Sequence, residues 1–338
     1  MSLFDYPLHL NIETVNYCNA RCPFCPLFQG SEPLDRQIRP AQVMPADLFE
    51  AIVGQIARWP TKPTMTINMD GEPLMDPYFE GRMNALRSAG LAGFAHIETN
   101  GHLLTPQKAV VILQAPLGEV RYAFDGATKA TYERHRARCD YDRVLANLRM
   151  LVALRDELAA PTKILLKYTR TDDNASEVEA CYALMNAFMS AEKDTFIDTI
   201  THSWARSELE ASTLYNVGKV SATKVRADGC SLANSRMVIL ADGRVPACSL
   251  DYNLTISDGG FGNVAASSVL EVWRGAPFER FRDRLRGPCE RSPDNCRRCI
   301  NLYEPPDSYA PAMMTDHSNM IWGGPYNYAY RFTNAHPT

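Results

Sequence analysis

Three cysteines near the start of the chain, spaced C-x3-C-x2-C, constrain the fold more than any other feature. Cys18, Cys22 and Cys25 follow a strand-like apolar run, residues 8–15, so they lie on the loop that leaves the first predicted strand. Thiolates this close converge on one point, and such soft ligands select zinc or an iron–sulfur cluster. The alternative is a structural loop that carries three reduced cysteines and no metal.

A closed structural zinc site needs a fourth ligand, and the adjacent sequence offers none. Neither Asn19 nor Pro26 is a zinc ligand, and the first histidine after the loop is His96. Three thiolates on a cubane leave one iron open, which suits a centre that must bind another molecule.

This loop resembles the signature of the radical S-adenosylmethionine (SAM) superfamily, which has the same spacing and an aromatic residue, here Phe24, before the third cysteine. The resemblance implies a [4Fe-4S] cluster on Cys18, Cys22 and Cys25 whose open iron binds the amino and carboxylate groups of SAM. It also implies reductive cleavage of SAM to a 5'-deoxyadenosyl radical. A flavodoxin or ferredoxin is the expected electron donor.

Charge and composition exclude several other classes of protein. The 338 residues carry a formal net charge of −4, which provides no electrostatic footprint for nucleic acid or an anionic membrane. The first residues do not form a signal peptide, and no apolar run is long enough to span a bilayer. Ten cysteines in such a chain indicate metal ligands rather than disulfides, so we expect a cytoplasmic enzyme.

Short apolar runs alternate with amphipathic segments over the first two-thirds of the chain, the pattern of strand–helix units around a parallel sheet. Six units predict an α/β protein, and the resemblance implies a partial (β/α)6 TIM-like barrel with its active site at the C-terminal ends of the strands. The predicted strands are residues 8–15, 64–68, 95–98, 119–124, 163–168 and 195–199, and the predicted helices are 48–58, 107–113, 144–159 and 175–189.

Polar residues follow these predicted strands. Residues 69–73 resemble the family's "GGEP" element, with Asp70 in place of the first glycine. In that element backbone atoms and the glutamate hold the amino group of SAM, which implies this role for Gly71 and Glu72. Each such fragment alone is usually only a turn, so the prediction depends on their order behind the cysteine loop.

Three further strand ends carry similar matches. The third resembles the "TNG" segment beside the nucleoside, and the fourth resembles an "S-x-D-G" element. Cations at the end of the fifth strand could pair with the SAM carboxylate, or could simply be solvated. The SAM-binding residues expected from these segments are Glu98, Asn100, Asp125, Lys167 and Arg170.

The pattern changes from about residue 220. Two β-type runs flank Asp242 and Gly243, a favoured hairpin turn pair, and the hairpin would bring Cys230 and Cys248 together. Two predicted helices and a C-x2-C pair follow. This region resembles the SPASM/Twitch extension of radical SAM enzymes, which implies a small auxiliary-cluster domain built from a β-hairpin and helices.

The number of cysteines distinguishes the two forms of this extension. The full SPASM form binds two auxiliary clusters and has further cysteines after the C-x2-C pair, whereas none follows Cys299 here. The resemblance therefore implies the shorter Twitch form, with a single auxiliary [4Fe-4S] cluster. A four-cysteine zinc site is the alternative, because C-x2-C is also a zinc-ribbon signal. The expected ligands are Cys230, Cys248, Cys296 and Cys299.

Three cysteines lie outside these sets. Cys181 falls in a predicted amphipathic helix and is expected in the core, whereas Cys289 could replace one ligand of the C-terminal set. Cys139, on a strand-end loop, is either a free surface thiol or a hydrogen-atom donor to a substrate radical.

We expect a barrel domain at 1–220, a Twitch domain at 221–302 and a tail at 303–338 that packs on one of them.

The expected function is that of a radical SAM oxidoreductase that dehydrogenates a sugar, aminocyclitol or nucleoside in natural product biosynthesis, with the auxiliary cluster as electron acceptor. Asp251, three residues past Cys248, is a candidate base, and a structural cap of the hairpin is its alternative role. Other hypotheses are epimerisation or C–C bond formation, maturation of a ribosomal peptide, and a non-enzymatic iron–sulfur protein. Only 17 residues precede Cys18, which disfavours a leader-binding domain and hence a peptide substrate.

Overall fold

The computed structural model of the chain describes residues 5–27, 37–200, 225–297, 299–303, 320–323 and 327–333. Six of its strands lie side by side, all parallel, in the order in which they occur in the chain. This arrangement confirms the predicted α/β class and partial barrel. The strands are β1 (His9–Ile12), β2 (Thr64–Thr66), β3 (Ala95–Thr99), β4 (Glu119–Ala123), β5 (Lys163–Arg170) and β6 (Thr195–Ile200).

Helices connect these strands, and several begin at capping side chains. Thr105, Thr128 and Asp140 each accept a backbone N–H three residues later, which satisfies a donor that the first helical turn leaves unpaired. The helices are α1 (Ala46–Ala57), α2 (Phe79–Ser88), α3 (Pro106–Gln114), α4 (Lys129–His135), α5 (Tyr141–Glu157) and α6 (Val178–Asn186).

The helix predictions differ from the structure in two respects. Helices α2 and α4 were not predicted; α2 has no side-chain cap to mark its start, and α4 spans only seven residues. The predicted helix 175–189 begins with a 3-10 turn, because the Asn174 side chain accepts the N–H of Thr171 instead of capping the helix.

The region after the barrel is joined to it through the same sheet. Strand β7 (Arg236–Ile239) pairs in parallel with β1, after the short helix α7 (Ser231–Ser235). The predicted turn forms at Asp242 and Gly243, where Gly243 has a φ of +83°. The two segments on either side of the turn have different partners. The segment before the turn is β7, whereas Val245, after the turn, forms backbone hydrogen bonds with Phe261 and Gly262. Helices α8 (Val269–Trp273), α9 (Ala276–Leu285) and α10 (Asp294–Arg297) follow.

The tail extends the opposite edge of the sheet. Strands β8 (Met320–Gly323) and β9 (Asn327–Arg331) are antiparallel, and β9 pairs with β6. The predicted boundary near residue 220 and residues 304–319 lie outside the described residues. Trp273 and Phe278 belong to the same apolar core as the barrel strands, whereas Ala233, Phe281 and Leu285 belong to a second, smaller apolar cluster in the C-terminal region. No described helix is both long and apolar enough to cross a membrane.

Candidate active site

A cavity of about 240 Å³ opens at the C-terminal ends of the barrel strands. There the three cysteines of the first loop meet the loops that follow β2 and β3 and side chains near the C-terminal ends of β3, β4 and β5, as expected for a barrel of this kind. Sequence-predicted residues that line it are Cys18, Cys22, Phe24, Cys25, Gly71, Glu72, Glu98, Asn100 and Lys167.

The cysteine loop is held by backbone contacts. The N–H of Arg21 donates to the carbonyl of Ala137, and the N–H of Cys25 donates to Cys22 O. The Ala20 N–H lies 3.4 Å from Cys18 Sγ, and the Asn100 side-chain amide lies 3.6 Å from the same sulfur. Two N–H donors are therefore already directed at the sulfur of Cys18, as in a thiolate that binds a cluster.

Burial makes these cysteines unfavourable as free thiolates. It raises the pKa of Cys18 to about 12, and it raises the pKa values of Cys22 and Cys25 as well. Three converging soft ligands with directed N–H donors fit an iron–sulfur cluster, which would compensate their charge. In the described part of the chain, no group of three or more His, Cys, Asp or Glu side chains is placed so that it could hold a single metal ion.

Gly71 and Glu72 fix the loop after β2. A Cβ on Gly71 would lie 2.1 Å from the carbonyl oxygen of Val15, so only glycine allows this loop to approach the cysteine loop. The buried Glu72 carboxylate accepts from the Thr99 hydroxyl at 2.6 Å and from the N–H groups of Asn100 and Leu74. Glu72 thus joins the loops that follow β2 and β3.

A charged triad lines the opposite wall of the cavity. Lys167 Nζ lies 3.0 Å and Arg121 Nη1 lies 3.2 Å from the carboxylate of Glu98. Burial disfavours the charge of Glu98, but the two cations outweigh it and hold the pKa of this carboxyl well below its usual value. Arg121 also pairs with Glu119 at 2.7 Å, so two cations and two carboxylates form one network beside the cavity.

Asp125 does not line the cavity. Its buried carboxylate accepts the N–H of Thr169 at 2.6 Å and pairs with Arg136. Arg136 does line the cavity: its Nη1 lies 3.6 Å from Cys22 Sγ, and its guanidinium lies 5.2 Å above the ring of Phe24. In this geometry Asp125 holds Arg136 at the cavity, and its predicted SAM contact stays a prediction.

Two further predictions differ from the observed geometry. Arg170 is fully buried and pairs with Asp198 of β6 at 2.6 Å, away from the cavity lining, because its strand position turns the side chain toward β6. Cys139 is also buried and lies behind the cysteine loop, with its sulfur 3.9 Å from the Asn19 amide. It is neither a surface thiol nor part of the cavity wall.

The four C-terminal cysteines meet at a second, apolar cavity. Cys230, Cys248, Cys296 and Cys299 line it together with Leu, Ile and Phe side chains. The N–H of Leu250 lies 3.4 Å from Cys248 Sγ, and the Asn301 amide lies 3.5 Å from Cys299 Sγ. Four partly buried thiols with two N–H donors fit a second cluster.

The remaining cysteines lie elsewhere. Cys289 is outside the lining of this cavity, with its sulfur 3.1 Å from the Tyr303 hydroxyl. Cys181 is buried in the core near the carbonyl of Phe124, as predicted.

Asp251 is a structural residue in this geometry. Its buried carboxylate accepts the N–H groups of Ala247, Ile256 and Ser257, and also the Ser257 hydroxyl at 2.5 Å. The donors lie on both sides of Cys248 in sequence, one just before it and three in the loop that follows, so the carboxylate closes this loop around the cysteine. These contacts match the capping alternative, and the role of Asp251 as a base stays a prediction.

The sequence analysis missed a buried ion-pair cluster between the cavity and the C-terminal region. Arg39 donates to both carboxylate oxygens of Glu13, at 2.8 and 2.6 Å, and to Asp70 at 3.2 Å. It also donates to the carbonyl of Tyr252 at 2.6 Å. Two acids in the sequence could have indicated this cluster: Glu13, the only acid in the predicted strand 8–15, and Asp70 of the "GGEP" element.

Comparison with family models supports this architecture. A model of the radical SAM superfamily matches residues 12–174, and a SPASM model, an iron-sulfur cluster-binding domain, matches residues 230–300. Comparison with curated protein sequences finds no match.

Three solved structures share the fold. BtrN in complex with AdoMet (SAM) and 2-DOIA is 18% identical, covers 88% of this chain and 94% of its own, and has a TM-score of 0.53. The anSMEcpe structure with bound AdoMet is 17% identical over 90% and 88% of the two chains, with a TM-score of 0.57. Streptococcus suis SuiB bound to S-adenosylmethionine is 16% identical over 83% and 68%, with a TM-score of 0.58.

The chain belongs to the radical SAM superfamily, in its SPASM/Twitch branch. Its cofactors are [4Fe-4S] clusters and SAM.

Proposed function

We propose that this radical SAM enzyme dehydrogenates an alcohol of a small biosynthetic molecule, such as a sugar, an aminocyclitol or a nucleoside, with the auxiliary cluster as electron acceptor. The SAM-binding cluster is assigned to Cys18, Cys22 and Cys25. The auxiliary cluster is assigned to Cys230, Cys248, Cys296 and Cys299, the ligand number of a complete [4Fe-4S] cluster.

One observation carries this proposal: a single side chain links the cavity to the auxiliary site. Arg39 contacts Asp70 in the cavity wall and the carbonyl of Tyr252, four residues after Cys248. A cluster that receives an electron from the substrate must be held at a fixed position relative to it. The buried Arg39 contacts and the β1–β7 pairing supply such a connection.

The residues of the cavity wall have distinct roles in this reaction. Lys167, which lines the cavity beside Glu98, supplies an ammonium group that suits the carboxylate of SAM. Phe24 and Met69 add apolar surface that excludes water from a reactive intermediate. When bound, the cluster supplies an electron to SAM and so provides the 5'-deoxyadenosyl radical that removes a hydrogen atom from the substrate.

Epimerisation receives less support from the geometry. It requires a hydrogen-atom donor at the substrate radical, and the thiol considered for that role, Cys139, lies outside the cavity lining.

The test is anaerobic turnover of the reconstituted protein with SAM, a low-potential reductant and a panel of cyclitols, aminocyclitols, sugars and nucleosides in deuterated water. We expect a ketone in a one-to-one ratio with 5'-deoxyadenosine and no solvent deuterium on carbon. A C296A/C299A variant should form 5'-deoxyadenosine without ketone. An epimer that carries solvent deuterium, turnover without consumption of SAM, or reaction only with peptides would contradict the proposal.

A further inference from the structure

Asp70 occupies an unusual position in the cavity wall. It stands where the "GGEP" element has its first glycine, directly after β2, and its side chain lines the same cavity as the three cysteines of the first loop. Its Oδ2 accepts from Arg39, whereas Oδ1 makes no hydrogen bond to the described residues. This oxygen is therefore available to a molecule in the cavity.

Asp70 belongs to a buried cluster with an excess of negative charge. Arg39 forms two hydrogen bonds to Glu13 and a longer one, at 3.2 Å, to Asp70. The side chains of all three residues are 4% exposed or less. One guanidinium thus neutralises only one of two carboxylates, and a proton is the natural means of neutralising the other.

The more weakly held carboxylate is the one that takes this proton. Burial, and then the charge of Glu13, raise the pKa of Asp70 to about 7, against the lowering effect of Arg39. Glu13 is the more strongly held of the two, because it makes the bidentate contact with Arg39 and also accepts the N–H of Ala241. Asp70 can therefore accept and release a proton near neutral pH, as a general base must.

The other acids in the described lining of the cavity are unsuited to this task. Glu98 is held ionised between Lys167 and Arg121, which weakens it as a base. Glu72 accepts three hydrogen bonds from its own chain.

We propose that Asp70 is the base that accepts the hydroxyl proton of the substrate during its dehydrogenation, an inference that rests on the proposed function. After removal of the carbon-bound hydrogen atom, the substrate O–H bond breaks and its proton passes to Asp70 Oδ1. The unpaired electron passes to the auxiliary cluster, which is reduced, and the C–O bond becomes a carbonyl. Arg39 positions the base, and its contact with Tyr252 holds the base beside the loop that carries Cys248.

The test compares Asp70→Asn with the wild-type holoenzyme, using the panel compound that the wild type oxidises, deuterated at the reacting carbon. We expect ketone formation to fall by at least about 10²-fold. Transfer of deuterium into 5'-deoxyadenosine should stay within a few-fold of the wild type, because the hydrogen atom is removed before the base acts. Iron content and KM for SAM, which report on folding and SAM binding, should not change.

Glu13→Gln provides an independent variant, because it removes the neighbouring charge and leaves Asp70 in place. We expect the acidic limb of the pH profile for ketone formation to move to lower pH. Infrared difference spectra of the wild type should contain a carboxylic acid band that titrates near neutral pH and is absent from Asp70→Asn.

The outcomes separate the two proposals. A wild type that oxidises none of the panel overturns the proposed function. A wild type that forms ketone, with Asp70→Asn equally active, overturns the role of Asp70 alone. A large rise in KM for SAM, with loss of deuterium transfer, would assign Asp70 to SAM binding and also contradict its role as base.

Discussion

The hydroxyl of Thr99 donates to the carboxylate of Glu72 at 2.6 Å, and this contact joins the loops that follow β2 and β3. The same carboxylate accepts the N–H of Asn100, whose side chain lies beside Cys18. The wall that faces the expected SAM position is therefore organised around one buried acid.

Replacement of Glu72 by Gln should loosen both loops, because the amide nitrogen cannot accept a hydrogen bond. We expect the free energy of unfolding to fall by about 1–3 kcal/mol and the affinity for SAM to decrease. Anaerobic denaturant titration and calorimetric SAM binding measure the two effects. Glu80→Gln, at an exposed position on α2, is the control and should change stability by less than about 0.5 kcal/mol. Equal behaviour of the two variants would contradict the role of Glu72.

Arg136 should raise the reduction potential of the SAM-binding cluster. Its guanidinium lies 3.6 Å from Cys22 Sγ and is held by Asp125, so its charge favours the more negative, reduced state. Arg136→Gln should therefore shift the potential to a more negative value in a titration monitored by electron paramagnetic resonance. Arg134→Gln, at an exposed position in α4 two residues earlier, should leave it unchanged. A potential that stays the same or rises in Arg136→Gln would refute this electrostatic role.

Asp251 should be required for retention of the auxiliary cluster and not for chemistry. In Asp251→Asn an amide NH₂ would replace an oxygen that accepts from the loop donors. We expect loss of auxiliary iron, with formation of 5'-deoxyadenosine preserved. Asp258→Asn, at an exposed site with a φ of +48° that Asn tolerates, is the control. A variant with full iron content but no ketone product would restore the catalytic interpretation.

His96 should make the protein less stable in acid. Burial, then the charge of Arg121, lower the pKa of His96 to about 3, and its ring lies 2.7 Å from the Thr66 hydroxyl. Between pH 6.5 and about 3 the unfolded chain binds a proton that the folded chain does not, so stability is lost as the pH falls below 6.5.

His96→Gln removes this titration. The dependence of the unfolding free energy on pH should then decrease by up to about 1.4 kcal/mol per pH unit in that range. Urea unfolding at several pH values measures the slope, and His102→Gln, at a partly exposed position, should reduce it less. An unchanged slope in His96→Gln would show that this ring is not responsible.

The parts of the site that were predicted depend on local patterns. The cysteine spacings span a few residues, and the apolar runs that predict strands are equally local, so both are readable from the chain alone. Contacts between distant segments cannot be read from the chain in this way. Arg39, for example, pairs with Glu13 and Asp70, which are 26 and 31 residues away in sequence. Such pairs depend on which strand ends become neighbours.

The differences between the expected and the observed side-chain positions have a related cause. Asp251 and Arg170 lie near functional segments in sequence, but the direction of each side chain depends on contacts that the sequence does not encode locally. Asp251 turns back to its own loop, and Arg170 turns to Asp198 on the next strand.

The division of seven cysteines into two independent cluster sites is the central claim. Metal and sulfide analysis with Mössbauer spectroscopy tests it most directly, on the wild type and on a C18A/C22A/C25A variant. We predict about eight irons in the wild type, and about four in the variant, as one intact [4Fe-4S] cluster without SAM cleavage. A variant that still binds about eight irons, or a wild-type protein with zinc at the four C-terminal cysteines, would contradict it.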